Sequence, residues 1–218
     1  MDGNGRWAER HGVPVEAGHR EGTRALRRTV EAAIDLGVRS LAVYAFSTEN
    51  WTRPAGEVAQ LMEILGETID RELPDLAAQG VRTRFIGRRD RAPESLQERM
   101  AALELETAGR DVLQLWIAFD YGGRAELADA ARAMIEAGIS AEEVDEDVFA
   151  VYLYAPDMLD PDLVIRTSGE LRMSNFLLWQ LAYSEFFFVD TLWPDFGEDE
   201  LRQAVTAYAG RQRRFGRR

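Results

Sequence analysis

The 218-residue sequence predicts an α/β fold: a mostly parallel twisted sheet of about six strands flanked by helices, in a single domain spanning residues 1–218. Three observations carry this. Short apolar runs of strand length alternate with longer stretches whose apolar residues recur at helical spacing. A hydrophobic content of 46%, with 10 Phe and 5 Trp, is ample for a buried core. No Pro/Gly/Ser-rich linker, internal repeat or low-complexity tract divides the chain.

In chain order, residues 23–36 set Leu26, Val30, Ala33 and Ile34 at helical spacing, and Gly37 fits the C-terminal cap. Residues 40–46, SLAVYAF, are apolar and aromatic enough for a buried strand, and a polar loop over residues 47–53 follows. Val58, Leu61, Met62, Leu65, Ile69, Leu73 and Leu76 form one long stripe, which breaks at Pro74 if the helix runs that far. Residues 81–87 read as a strand with alternating Arg. Pro93 then opens a helix with Leu96, Met100 and Leu103 on one face and Gly109 beyond its end. Leu113, Leu115, Ile117 and Phe119 alternate with Gln114, Trp116 and Ala118 as a strand does, and run into Asp120-Tyr-Gly-Gly-Arg124. A helix to Ala137 comes next, then Ser140 with Glu143 as the capping box of another. Residues 163–166 make a short strand, 176–181 a helix, 186–189 a strand and 198–213 the last helix.

Composition narrows the function. A formal charge of −12 repels polyanions at long range, which argues against nucleic acid as a partner. The chain has no Lys, so all 26 basic residues are Arg and any phosphate contact uses a planar, permanently charged fork. With no Cys, disulfides, thiolate catalysis and Cys-based zinc sites are excluded, and with 2 His a His-rich metal site is disfavoured. No charged-then-apolar leader is expected, and the most apolar run, residues 176–193, carries Gln180, Glu185 and Asp190. The expected setting is cytoplasmic.

In a parallel sheet, ligands bind in the loops at the carboxyl ends of strands. Those loops collect Arg, Ser, Asn and Gly on one rim, in residues 47–54, 120–124 and 166–175, and the first eight residues, MDGNGRWA, which read as a turn from their Asp-Gly and Asn-Gly pairs, add an acid, two glycines framing an Asn, and an Arg. A diphosphate needs several such donors at once. The same segments carry a family resemblance. MDGNGRWA, the Gly18-His19 pair with Gly22, YAFSTENWTRP with Glu57, FDYGGR, IRTSGELRMSNFLLWQ with AYSE, and LWPDF, in this order, resemble the cis-prenyltransferases of the undecaprenyl diphosphate synthase type.

The resemblance implies elongation of an allylic diphosphate by isopentenyl diphosphate to a Z-polyprenyl diphosphate, with release of pyrophosphate. It implies that Arg6, His19 and Arg53 bind the allylic diphosphate, helped by the backbone of Gly3, Asn4, Gly5 and Arg6. Arg166, Arg172 and Ser174 hold the isopentenyl diphosphate, and Asn50 with Ser47 stands near the proton to be removed. Asp2 is the principal ligand of Mg2+ and Glu185 a second. Trp7 and Trp51 are packing residues with a share in gating, Asp120 and Arg124 orient a Gly-Gly turn, and one face of the 58–76 stripe lines an apolar tunnel. The family also implies a homodimer whose C-terminal tail, residues 211–218, reaches the partner subunit's site, and peripheral membrane contact for a long product. Two rival classes are a non-catalytic scaffold subunit of a two-component prenyltransferase and an unrelated phosphate-ester hydrolase; a short-chain synthase is a variant of the main reading.

Some positions depart from the family. Val15 stands where an Arg four residues before the His is common, and Leu171 where some relatives have His. A short apolar strand precedes the MDGNG segment in the family, so the first strand of the sheet is expected to be truncated here and Asp2 to be frayed. Bulk at Phe119 and Trp116 points to a shorter product, against which Ala45 argues. Asp157, Asp160 and Asp162 have metal-box spacing, but Pro156 and Pro161 bracket them as a turn, so they are not expected to hold the catalytic metal.

Overall fold

The computed structural model describes residues 1–211 and contains eight α-helices and five strands among them. The elements run α1 (Asn4–His11), α2 (Val15–Asp35), β1 (Ser40–Ser47), α3 (Ala55–Arg71), α4 (Leu73–Ala78), β2 (Val81–Ile86), α5 (Glu94–Thr107), β3 (Leu113–Tyr121), α6 (Gly123–Glu136), α7 (Glu146–Val151), β4 (Leu163–Arg166), β5 (Glu185–Phe188) and α8 (Glu198–Ala209). The strands pair only in parallel, as β1-β3-β2 and, separately, as β4-β5. The class is the expected one, with five strands in two sheets among the described residues in place of one sheet of about six. One edge of β1 and one edge of β4 have no ladder partner among the described residues, and consecutive residues of both strands border the same cavity. Since successive side chains of a strand point to opposite faces, an unbroken run of lining residues means that the edges border it.

β3 sits between β1 and β2, and from Leu115 to Tyr121 it is buried without interruption. Its near-continuous apolar run is what a parallel strand covered on both faces requires. Up to Phe119, residues of opposite parity serve different cores: Leu115, Ile117 and Phe119 pack with α2, α3 and α5, whereas Trp116 and Ala118 join Leu177, Leu181 and Met158 on the other side, with Tyr121 beside them past the positive φ of Asp120. Trp116 therefore points away from the α2/α3 side that Phe119 faces, and its bulk has no bearing on a tunnel there. Its N–H donates to Ser40 Oγ at 3.1 Å and the Arg84 guanidinium lies 4.3 Å from its ring centroid.

The long apolar stripe divides into α3 and α4 at Glu72, just before Pro74, because proline cannot donate to the preceding turn. Ser140 and Glu143 do form the reciprocal cap, with Ser140 N–H donating to Glu143 Oε2 at 2.9 Å, but on a single 3₁₀ turn (Ala141–Glu143) ahead of α7. Two helices differ from expectation. The opening segment is α1 and not a turn, and the expected helix over residues 176–181 is a succession of turns. Positive φ angles at Ser174 (51°), Asn175 (63°) and Leu177 (43°) set that segment on a left-handed path incompatible with helix propagation.

Candidate active site

Non-glycine residues with positive φ are concentrated where strands end: Asp120 at the penultimate position of β3, and Ser168, Ser174, Asn175 and Leu177 after β4. Backbone held in such sparsely populated conformations is drawn to functional sites. The loop after β4, the loop after β1 and the amino end of α1 converge on a cavity of about 980 Å3; residues 120–124, expected on the same rim, do not line it. Its polar part includes Asp2, Asn4, His19, Ser47, Asn50, Arg53, Arg166, Arg172 and Ser174, and its apolar part runs past Leu26, Val43, Ala45, Leu65 and Phe119.

Asp2 is anchored, not frayed. Its carbonyl accepts from Ser168 Oγ (2.6 Å), Trp193 N (2.9 Å) and Thr167 Oγ1 (3.3 Å), and its carboxylate meets Arg166 Nη2 at 2.9 Å and Arg6 Nη2 at 3.5 Å. Tertiary hydrogen bonds thus do here what a flanking strand was expected to do. Gly3, with φ 102°, is required by the same contact: a Cβ there would lie 2.4 Å from Ser168 Oγ. It caps α1, whose first-turn amides open an anion-binding end. Arg6 also donates to the Ser168 carbonyl at 3.0 Å and pairs with Glu170 at 3.4 Å, and Glu170 in turn holds Arg172 at 2.6 Å. Three guanidinium groups from α1, β4 and the loop after it are therefore cross-braced by two carboxylates.

His19 lies within α2, which begins earlier than the periodicity indicated. Burial, then the neighbouring Arg53 charge, lowers its pKa below the ordinary imidazole value, with Glu57 opposing. Arg53, just ahead of α3, pairs at 2.8 Å with Glu57 in that helix's first turn, so Glu57 serves as its anchor. The loop after β1 is a 3₁₀ turn (Thr48–Thr52), in which Asn50 Oδ1 accepts from Ser47 N at 2.9 Å. Three polar atoms of the cavity wall are buried without a hydrogen-bond partner: Asn4 Oδ1, His19 Nε2 and Arg166 Nε. Buried polar atoms are nearly always paired, and an orphaned group costs about 1–3 kcal/mol, so such a cluster at a cavity mouth marks a place for a polar ligand.

Other expected residues sit elsewhere. Trp7 donates to Asp195 Oδ1 at 2.7 Å and stacks on His11, and Trp51 donates to Asp120 Oδ1 at 2.8 Å; neither lines the cavity. Glu185 pairs with Leu163, three residues before Arg166 pairs with Phe188. At about 3.3 Å per residue it stands roughly 10 Å from the strand end that meets Asp2. Its carboxylate takes Arg211 at 2.9 Å. Asp2 and Glu185 are thus not brought together as an ion-binding pair in one chain, and no three metal-ligating side chains cluster among the described residues. Asp157 is held by Arg84. Val15 is half exposed at the start of α2 and supplies no charge there, and the tail beyond Arg211 lies outside the described residues. Thr167, Ser168 and Glu170 were not singled out from the sequence, although they lie inside the IRTSGE motif.

A family model described as "Putative undecaprenyl diphosphate synthase" matches residues 1–216. An isoprenyl transferase of Fusobacterium nucleatum is 49% identical over 216 residues, covering 99% of this chain and 93% of that protein. A ditrans,polycis-undecaprenyl-diphosphate synthase, (2E,6E)-farnesyl-diphosphate specific, of Xanthomonas axonopodis is 49% identical over 220 residues, covering 99% and 85%. The crystal structure of lavandulyl diphosphate synthase from Lavandula x intermedia in complex with dimethylallyl diphosphate superposes with a TM-score of 0.95 at 36% identity, over 99% of this chain and 95% of that one. A probable undecaprenyl diphosphate synthase from Campylobacter jejuni gives 0.81 at 32%, over 90% and 92%. By sequence along nearly its whole length and by fold, the chain belongs to the undecaprenyl diphosphate synthase family of prenyltransferases.

Proposed function

We propose that this chain condenses an allylic diphosphate with isopentenyl diphosphate in cis, and that the two diphosphates sit on the two sides of Asp2. The observation that carries this is the trio of buried, unpartnered polar atoms on Asn4, His19 and Arg166 beside braced arginines, at the polar mouth of an otherwise apolar cavity. In the step, the allylic C–O bond breaks and pyrophosphate leaves, the isopentenyl double bond forms the new C–C bond, and a proton is lost from the isopentenyl unit. Arg6, His19, Arg53 and the α1 amides hold the allylic diphosphate as its charge develops. Arg166, Arg172 and Ser174 hold the second diphosphate, and Ser47 with Asn50 orients the proton that departs. Apolar walls keep water from the cationic carbon and take up the growing chain.

Mg2+ fits Asp2: a hard cation needs one or two carboxylates and fills its shell with water and substrate oxygens, and the half-exposed Asp2 carboxylate offers that. When bound, it supplies charge neutralisation for the departing pyrophosphate. The pairing of Glu185 with Arg211 removes Glu185 from the proposed ligand set of a single chain. A homodimer, cytoplasmic placement and membrane contact for a long product belong to the same proposal; no helix among the described residues is long and apolar enough to cross a membrane.

The test is incorporation of labelled isopentenyl diphosphate into chains primed with dimethylallyl, geranyl or farnesyl diphosphate, with and without Mg2+. Mg2+-dependent elongation is expected. A well-folded protein without turnover would favour a scaffold subunit, and phosphate release alone a hydrolase.

A further inference from the structure

Asp120 has no part in the reaction as proposed above, yet its surroundings are built with care. Its side chain is 0% exposed and its φ is 45°, an unusual combination for a carboxylate outside glycine-like turns. It accepts from Trp51 Nε1 at 2.8 Å, from Arg91 Nε at 2.9 Å and from Arg91 Nη2. The Arg91 guanidinium also covers the Trp51 ring, 4.9 Å from its centroid, while Phe46 meets the ring edge-on at 5.1 Å. Trp51 is thereby gripped through its N–H, over its face and along its edge. A buried carboxylate is tolerated only when donors satisfy it, and here three do.

Trp51 lies in a short turn, Thr48–Thr52, whose neighbours do the facing. Asn50 and Arg53 line the cavity, and Trp51 between them does not. Among the described residues, Asn175 Nδ2 also tethers the turn by donating to Glu49 Oε1 at 2.9 Å, and Glu57 anchors the flanking Arg53 at 2.8 Å. We propose that Asp120 is a positioning residue: acting through Trp51, and with its charge balanced by Arg91, it fixes the turn that presents Arg53 to the allylic diphosphate and Asn50 to the departing proton. This rests on the function proposed above. It assigns Trp51 to the protein side of the turn and gives Arg91, which no motif singled out, the role of counter-charge.

Misplacing a binding group by about 1 Å costs on the order of 100-fold in rate. Asp120→Ala and Trp51→Phe should each lower kcat and raise the KM for the allylic diphosphate, for a combined loss of at least about tenfold in kcat/KM. The isopentenyl KM should stay within about twofold, since Arg166, Arg172 and Ser174 lie on other segments. The double variant should be no worse than the worse single, and Asp120→Asn, which keeps an acceptor for the indole, should recover most of the loss. Losses that multiply, or an isopentenyl KM that rises equally, would overturn the proposal. Should Asp120→Ala fail to fold, the same KM split in Trp51→Phe decides. A readout that needs no turnover is hydrogen exchange of the Trp51 indole N–H by NMR. It should quicken in Asp120→Ala and not in Asp120→Asn, and equal protection in all three proteins would overturn the clamp even if the elongation assay had failed for other reasons.

Discussion

Replacing Gly18 by Ala should damage catalysis far more than stability. A helical Gly→Ala change ordinarily stabilises by about 1 kcal/mol. At Gly18, however, a Cβ would lie 2.2 Å from the Asn4 carbonyl oxygen, 3.0 Å from its carbon and 3.2 Å from Ala8 Cβ. The obstacle is the backbone of α1's first turn, so relief requires α1 to move as a body by roughly 1 Å to restore van der Waals distance. Overpacking of this kind costs about 1–3 kcal/mol, leaving a net destabilisation of about 0–2 kcal/mol. The shift falls on the helix that carries Arg6 and follows Asp2, where about 1 Å is worth up to about 100-fold in rate. Urea unfolding and steady-state kinetics on Gly18→Ala should show this imbalance, with Gly56→Ala as the control. Gly56 is in the first turn of α3 with no atom within 4 Å of an added Cβ, so that variant should gain about 0.5–1 kcal/mol and keep its kcat. If Gly18→Ala behaved like Gly56→Ala, the close docking of α1 on α2 would be wrong.

Two further outcomes can be checked. Asp129 on α6 is held bidentately by Arg88 (2.8 and 2.8 Å) and also by Tyr154 and Arg132, which lowers its pKa from 3.8 to about 2, Arg88 contributing most. A depressed carboxylate stabilises above its unfolded pKa and loses that contribution as pH falls through the folded value. Asp129→Asn should therefore cost about 2 kcal/mol in urea melts at pH 7, a gap that closes toward pH 2; a gap independent of pH would contradict this. Phe119, stacked 5.6 Å from Phe46 on the cavity wall, should limit product length, so Phe119→Ala should give longer chains by chromatography of labelled products. Identical product lengths in folded Phe119→Ala would remove it as a determinant.

Much of the fold is legible in the sequence because hydrophobic periodicity encodes burial. Residues 40–46 and 113–119 read as strands and are β1 and most of β3, though in β1 only Val43 and Phe46 are buried because the strand borders the cavity, and the break near Pro74 follows from a missing donor. The segment after Arg172 reads as a helix because Phe176, Leu177 and Leu181 are apolar, but local left-handed backbone, which no periodicity reports, sends it into turns. α1 is missed because Asp-Gly and Asn-Gly are turn signals. Here Gly3 is only the cap, and the helix is fixed by packing on Gly18 and Gly22 of α2, a long-range contact. The same limit applies at the site. Arg6, His19, Arg53 and Arg166 are singled out by type and motif as the proposed anion binders. The hydroxyls of Thr167 and Ser168 that anchor Asp2, and the Glu170 brace, depend on two distant segments meeting, and so does the capture of Glu185 by Arg211.

The most direct measurement is isopentenyl incorporation by Asp2→Ala beside the wild-type chain, at saturating allylic diphosphate and Mg2+, with folding checked by thermal melting. The Asp2 carboxylate braces Arg166 and Arg6 and is the proposed seat of the cation, while the tertiary anchoring of residue 2 runs through its main chain. The variant should therefore melt within a few degrees of wild type and lose elongation by at least about 100-fold. Wild-type turnover in a folded Asp2→Ala protein would contradict the placement of the reaction at this corner.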